Sequence, residues 1–389
     1  MKVVTDEKKI DEILNVGVED IFIKEELKKK MLSGKVLRVK LGIDPTGPKI
    51  HLGRAIPLRK LRQFQKLGHK AVLIVGDFTA MIGDSSDKLE KRPMLTEKQI
   101  KENMKSYAKQ LGMIIDLKKA EFKYNSSWLK KLGFKEISNL AESFSAQQMS
   151  SRRNFKERID KGEEISLREF LYPLMQGYDS VAVRADVELG GFDQLFNLKA
   201  GRTIQKHYQM PQQDVLTVQM LEGTDGRKMS TSWGNVVTIT DEPNDMFGKI
   251  MSIKDELISK YFLLCTDITE AEIPQDENPR DQKMKLAHEI VKIYHGEKKA
   301  KEAEENFVNT FTKGGMPEDV PEVEAGDEAK LVDVLITAKI ISSKTEFRRL
   351  VAEGAVTDME KNEKIKDVEA KALKTVYKIG KHRFLKIKN

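Results

Sequence analysis

Cysteine is nearly missing from this chain. Cys265 stands alone among 389 residues, which rules out an intrachain disulfide and takes away the thiolates a structural zinc site needs. Long apolar runs are missing too: none approaches the ~18 residues that read as a membrane-spanning helix. The first residues, MKVVTDEKKIDEIL, contain no apolar core of the kind a signal peptide carries. A cytoplasmic protein with no membrane segment is therefore expected. No internal repeat and no low-complexity tract is visible, which leaves an ordinary globular chain.

Charged residues make up 33% of the sequence and hydrophobic residues 39%, a soluble globular composition, and the length suits two or three domains. The net charge of +7 is unevenly placed. Residues 329–389 hold 15 Lys/Arg against 8 Asp/Glu, so this segment carries the whole excess and the rest of the chain is balanced. Such a segment is either a solvated basic tail or a module for a polyanion, nucleic acid above all.

Strand-like and helix-like segments alternate from about residue 36 to 220. VLRVKLG, KAVLIVG, EFKYN, VRADVEL and DVLTVQM read as strands, and Thr96 with Gln99 and Ser166 with Glu169 as capping boxes opening helices. Alternation of this kind predicts a parallel sheet covered by helices, with ligands bound beyond the C-terminal strand ends. From about 240 to 313 helical patterns dominate. The acidic, proline-containing stretch GGMPEDVPEVEAGDE (314–328) reads as a linker. In the basic segment, Ser343 and Glu346 cap a helix ending at Gly354, and TVYKIGKHRFLKIK reads as a hairpin turning near Gly380.

At the first strand end lies IDPTGPKIHLGR (43–54), where Asp44, Thr46, His51 and Gly53 crowd a strand-to-helix joint. A helix N-terminus offers unpaired N–H groups and partial positive charge to phosphates, and a glycine admits close approach. The plainer account is a turn with a surface histidine. Four more motifs follow: MIGDSSDKLEKR (81–92); YPLMQGYD (172–179), with Tyr172, Gln176 and Asp179 on one helix face; ELGGFDQ (188–194); and DGRKMSTS (225–232). Singly each is weak, but their order and spacing together are hard to reach by chance.

HLGR followed by KMSTS resembles the HIGH and KMSKS signatures of class I aminoacyl-tRNA synthetases. YPLMQGYD followed by GGFDQ resembles the amino-acid pocket of the tyrosyl-tRNA synthetases. The basic end, with SSKTEFRRLVAEGAV, resembles an RNA-binding module shared with a small-subunit ribosomal protein. The resemblance implies a Rossmann-like parallel-sheet catalytic domain over 1–235, with 125–165 as a helical insertion at a homodimer interface. It further implies an α-helical anticodon-binding domain over 236–316, a linker over 317–328 and a small α+β RNA-binding domain over 329–389. Three departures stand out: Arg54 replaces the second histidine of HIGH, Thr231 the second lysine of KMSKS, and Lys40 a tyrosine that touches the substrate phenol in many relatives.

The implied reaction joins L-tyrosine to ATP, expels pyrophosphate, and passes the tyrosyl group to tRNA(Tyr). Neither step needs a protein nucleophile, so positioning and charge stabilisation carry it. By resemblance, His51, Thr46, Lys228, Lys88 and Arg92 act on the phosphates. ATP further meets Asp44, Gly53, Gly191, Asp193, Met229 and Ser230, with magnesium accompanying it and no resident metal. Asp84, Tyr172, Gln176, Asp179 and Gln194 take tyrosine, and Arg348, Arg349, Lys381 and Arg383 contact tRNA. A tryptophanyl-tRNA synthetase, a small nucleotidyltransferase and a non-catalytic RNA-binding relative are the competing readings. Gln176 and the basic module weigh against the first, chain length against the second, and intact His51, Lys228, Asp179 and Gln194 against the third.

Overall fold

The computed structural model describes residues 2–84, 94–274, 278–311, 320–326, 329–361, 363–380 and 383–388. Lys88, Arg92 and Lys381 lie outside the described residues. The chain forms two compact units, Met1–Tyr294 and His295–Asn389.

The first unit is built on a six-stranded sheet. Its strands are β1 (Val18–Phe22), β2 (Arg38–Ile43), β3 (Lys70–Val75), β4 (Glu121–Tyr124), β5 (Val187–Gly191) and β6 (Asp214–Val218), in the spatial order β1-β6-β5-β2-β3-β4. All five expected strands are present and pair in parallel, while β1 joins β6 antiparallel. Burial explains the apolar runs of β3 and β6, whose interior residues are sealed, as strands covered on both faces require. Strand β1 escapes the sequence pattern because it is an edge: Glu19 and Asp20 face solvent, and its bonds all go to one neighbour.

Both capping boxes of this unit form as expected, at Thr96/Gln99 and Ser166/Glu169. The parallel strands bring the ends of β2, β3, β4 and β5 to one edge of the sheet. The helices Leu52–Lys66, Leu167–Ala182 and Leu195–His207 lie in the connections around that edge. Beyond residue 240 the unit is helical, with Pro243–Met251, Ile258–Cys265 and Pro279–His295.

The division between units falls inside 236–316, the range expected to be one helical domain. Gly296, at φ +87, interrupts the helical run, and Glu297–Phe311 groups with the C-terminal unit. That unit carries a second sheet of β7 (Glu322–Glu324), β8 (Val356–Asp358), β9 (Glu363–Lys364), β10 (Val376–Ile379) and β11 (Arg383–Lys388), ordered β7-β11-β10-β8-β9. Leu331, Leu335, Phe347, Tyr377 and Leu385 fill the core between this sheet and the helices Leu331–Thr337 and Lys344–Ala352. Here the expectation of a linker over 317–328 needs correction. Glu322–Glu324 pairs in parallel with β11, and Glu322 binds Lys386 at 2.9 Å and also Lys388, so these three residues of the stretch belong to the basic module's sheet. The helix expected at Ser343 ends as read, with Gly354 at φ +61, and β10 and β11 form the expected hairpin around Gly380 at φ +68.

Candidate active site

Strand β2 ends at Ile43 and the chain turns at once, with the Thr46 N–H donating to the Asp44 carbonyl at 2.8 Å. The loop is clamped from outside: the Ile50 N–H donates to Gln110 Oε1 at 2.8 Å, and Gln110 Nε2 donates to the Pro48 carbonyl at 2.8 Å. His51 caps the helix Leu52–Lys66 in an extended conformation without bonding its N–H groups through the side chain. The imidazole is buried, and its Nδ1 has no partner among the described residues. Burial first, then the Arg54 and Lys228 charges, push its pKa down to about 3, so at neutral pH the ring is uncharged and can donate a hydrogen bond to an anion.

The two signature loops meet. The Gly53 N–H lies 3.4 Å from Met229 Sδ, and a side chain at Gly53 would come 3.2 Å from His51 Nδ1, a close approach that explains the glycine. Arg54 Nη2 donates to Thr46 Oγ1 at 2.6 Å, and no carboxylate pairs with Arg54 among the described residues. Lys228 Nζ reaches Asp193 Oδ2 at 3.0 Å. Asn235 shapes this loop by accepting from the Ser230 N–H at 2.8 Å and donating to Asp225 at 2.8 Å. Thr231 is exposed.

A second group of side chains gathers along the helix Leu167–Ala182. Tyr172 donates its hydroxyl to Asp44 Oδ2 at 2.8 Å, and Thr79 donates to Asp44 Oδ1 at 2.7 Å. Gly76 leaves room for that carboxylate, since a Cβ there would fall 1.9 Å from Asp44 Oδ1. Burial and the surrounding Asp44, Asp84 and Asp179 charges hold the Tyr172 phenol well above its usual pKa. Asp179 is buried and accepts from Trp128 Nε1 at 2.7 Å and Asn125 Nδ2 at 3.3 Å. Burial raises its pKa to about 7, against the opposing pull of Lys40 and of these two donors. Gln176 turns its amide to Glu188 at 3.1 Å.

Gly83, at φ +82, turns the chain into Asp84. Gln194 Nε2 donates to Asp84 Oδ2 at 2.7 Å, and Asn197 Nδ2 to Gln194 Oε1 at 2.9 Å. Gly191 closes β5 beside Asp193; a Cβ there would lie 2.5 Å from Asp193 Oδ1.

The expected residues of the first unit thus fall at one sheet edge, apart from Lys88 and Arg92, which lie outside the described residues. Sequence reasoning missed Trp128, Asn125, Thr79 and Asn197. Asn125 directly follows β4, a position where α/β folds place ligands, and Trp128 is one of two tryptophans in the chain; both signals were available. In the C-terminal unit, Arg348 and Arg349 are exposed on the helix Lys344–Ala352. Arg383 is instead held at 2.7 Å by the Ile340 carbonyl and at 2.7 Å by Glu346.

The site has two poles. Asp44, Asp84 and Asp179 make one acidic, while Arg54, Lys228 and neutral His51 make the other a donor set for anions. This arrangement suits a zwitterion joined to a polyphosphate, held by position and charge.

Comparison with known proteins agrees. Residues 32–312 match the family of class I tRNA synthetases for tryptophan and tyrosine, and residues 312–386 match the C-terminal domain of tyrosine–tRNA ligases. The tyrosine–tRNA ligase of Thermotoga maritima is 47% identical over 385 residues, covering 96% of each chain. That of Carboxydothermus hydrogenoformans is 45% identical, covering 97% of each. A C-terminally truncated mitochondrial tyrosyl-tRNA synthetase of Aspergillus nidulans shares the fold at a TM-score of 0.66 and 21% identity, over 78% of this chain and 94% of that one. Taken with the meeting of the two signature loops, these likenesses establish that the chain belongs to the tyrosine–tRNA ligases of the class I tRNA synthetases.

Proposed function

We propose a division of labour for the ligase reaction, in which Asp84 and Asp179 of the acidic pole bind tyrosine, while Asp44 and the basic pole bind ATP. Asp179, with Trp128 and Asn125 behind it, accepts the phenol hydroxyl. Tyr172, Gln176 and Asp84 hold the ammonium group, and Gln194 the carboxylate end. Tyrosine carboxylate then attacks the α-phosphorus of ATP, the bond to the bridging oxygen breaks, and pyrophosphate leaves with its electron pair. His51 and Thr46 donate to the phosphate oxygens where charge builds, and Lys228 receives the departing pyrophosphate. Gly53, Met229 and Ser230 border the adenine, while Asp193 and Gly191 border the ribose. By the resemblance of the sequence, Lys88 and Arg92, which lie outside the described residues, also act on the pyrophosphate. A ribose hydroxyl of tRNA(Tyr) then attacks the tyrosyl carbonyl carbon; the new ester bond forms, the bond to the adenylate phosphate oxygen breaks, and AMP leaves while the hydroxyl gives up its proton.

Magnesium fits this scheme as part of the nucleotide. Among the described residues no three His, Cys, Asp or Glu side chains converge on one point; in this reading the metal comes on the phosphates, as it usually does. It supplies neutralisation of phosphate charge when bound. We assign catalysis to residues 1–235, anticodon contact to the helical region that follows, and further tRNA contact to the basic module through Arg348 and Arg349. A homodimer joined through 125–165 completes the proposal, with Asn125 and Trp128 at its start turned to the active site. Among the described residues, no helix is long and apolar enough to cross a membrane, which is compatible with work in the cytoplasm.

The contact of Gly53 with Met229 carries this reading, because it brings both phosphate-binding loops to one place. Tyrosine-dependent ATP–pyrophosphate exchange, run against tryptophan, tests it. Exchange with tyrosine alone is the expected result, and exchange with tryptophan alone overturns it.

A further inference from the structure

Beneath the amino-acid pole lies an ion pair that the reaction does not use. Lys40 is 0% exposed and Glu188 is 0% exposed, on adjacent strands β2 and β5, with Lys40 Nζ 2.9 Å from Glu188 Oε1. The ammonium has two further acceptors, both on the helix Leu167–Ala182: the Gln176 carbonyl at 2.9 Å and Ser180 Oγ at 2.8 Å. The carboxylate receives Ser180 Oγ at 3.0 Å, Gln176 Nε2 at 3.1 Å and the Gln213 amide. Gly201 is needed for this fit, since a Cβ there would come 2.3 Å from Gln213 Nε2 and 3.1 Å from Glu188 Oε2.

Two physical arguments make the pair more than core packing. A buried ion pair with full hydrogen bonding is rarely more stable than apolar side chains of the same volume, so stability alone does not account for it. Its anchors are also specific: residues 176 and 180 bracket Asp179 on the same helical turn. Lys40 is thus a cation placed under a buried carboxylate that must stay ionised to accept a phenol proton.

We propose that the Lys40–Glu188 pair is a positioning and specificity device, holding the 176–180 turn in register and keeping Asp179 a competent acceptor for the phenol, so that tyrosine is chosen over phenylalanine. This rests on the assignment of Asp179 to the phenol. The charged groups facing Asp179 are Lys40 from β2 and Glu188 from β5, with the Tyr172 phenol on its own helix and Trp128 and Asn125 as neutral donors. Lys40 favours the ionised carboxylate and Glu188 opposes it, with Lys40 the stronger. Removing the two charges therefore has opposite consequences.

The experiment is tyrosine-dependent pyrophosphate exchange from pH 5.5 to 9 on Glu188→Gln, the double variant Lys40→Met/Glu188→Gln, and Ser180→Ala. The pH midpoint below which tyrosine KM rises should move down in Glu188→Gln and up in the double variant. In the double variant tyrosine KM should rise about tenfold at neutral pH, the scale of one misplaced hydrogen bond, and preference for tyrosine over phenylalanine should fall by a similar factor. The KM for ATP should not change. Ser180→Ala keeps both charges and loosens the turn, so its tyrosine KM should rise with no movement of the midpoint. Unmoved midpoints in the two charge variants, or losses shared equally by ATP, make the pair purely structural and overturn the proposal. If the charge variants do not fold, an unchanged tyrosine KM in Ser180→Ala overturns it. Asp179→Asn in the same assay separates the premises: a normal tyrosine KM there removes the phenol assignment itself.

Discussion

Lys228 Nζ lies 3.0 Å from Asp193 Oδ2, so the loop cation spans to the strand end where the ribose is proposed to bind. Pyrophosphate must compete with that carboxylate for the ammonium. Thr231, three residues on, is exposed and uncharged. Lys228→Ala should therefore slow exchange on the order of 10²-fold, as for other lost charge-stabilising donors, while Thr231→Ala should change it less than about threefold, as a surface substitution. Pre-steady-state adenylate formation measures both. A Thr231 change more damaging than the Lys228 change refutes the assignment of the loop.

His51 is buried at the start of a helix with its pKa near 3, so it acts as a neutral donor throughout the working range. His51→Ala should cost on the order of 10²–10³ in kcat, with tyrosine binding nearly unchanged. Stability gives a second readout. The unfolded imidazole, with a pKa near ~6.5, binds a proton before the folded one does. The contribution of this group is complete above that value and is lost as pH falls toward 3. The acid-side drop in Tm should be smaller in His51→Gln than in the parent, and equal drops exclude a buried neutral ring.

Asp179 has the opposite shift. Its carboxyl is raised to about 7, so the acceptor for the phenol is lost as pH falls through neutrality. Tyrosine KM should climb below pH 7 while the KM for ATP stays level, and Asp179→Ala should weaken tyrosine at every pH. A level tyrosine profile between pH 5.5 and 8.5 contradicts this.

What the sequence revealed, and what it hid, follows from how local each feature is. Strand β3 stands out because both faces are buried and every residue but Lys70 is apolar, and β6 because Val215, Leu216 and Val218 are apolar residues on buried faces. Strand β1 does not, because an edge strand tolerates Glu19 and Asp20. Strand β7 is three residues long, too short for any period to show among prolines and acids. At the site, HLGR and KMSTS carry their chemistry in consecutive residues and are readable. The bonds from Trp128 and Asn125 to Asp179 join positions 51 and 54 residues apart, and Lys40 meets Ser180 across 140. Such partners become visible only once the sheet order β5-β2-β3-β4 brings the ends of these strands to one edge.

The basic module gives the last prediction. Its sheet includes β7, so a chain ending at Val320 removes that sheet whole and leaves no orphan strand. Every residue assigned to ATP or tyrosine precedes Thr231, and the first unit has its own core. The truncated chain should therefore keep tyrosine-dependent exchange. It should charge tRNA poorly, mainly through a raised KM for tRNA, because phosphate contacts from Arg348, Arg349 and neighbouring lysines are gone. Such contacts release counterions, so charging by the full chain should weaken steeply as salt rises, and the truncated chain should respond less. Adding the module as a separate chain should restore little, since tethering sets its local concentration. Exchange and charging measured on one preparation decide the matter. Full charging reduces the module to a solvated extension, and loss of both activities makes it part of the catalytic fold.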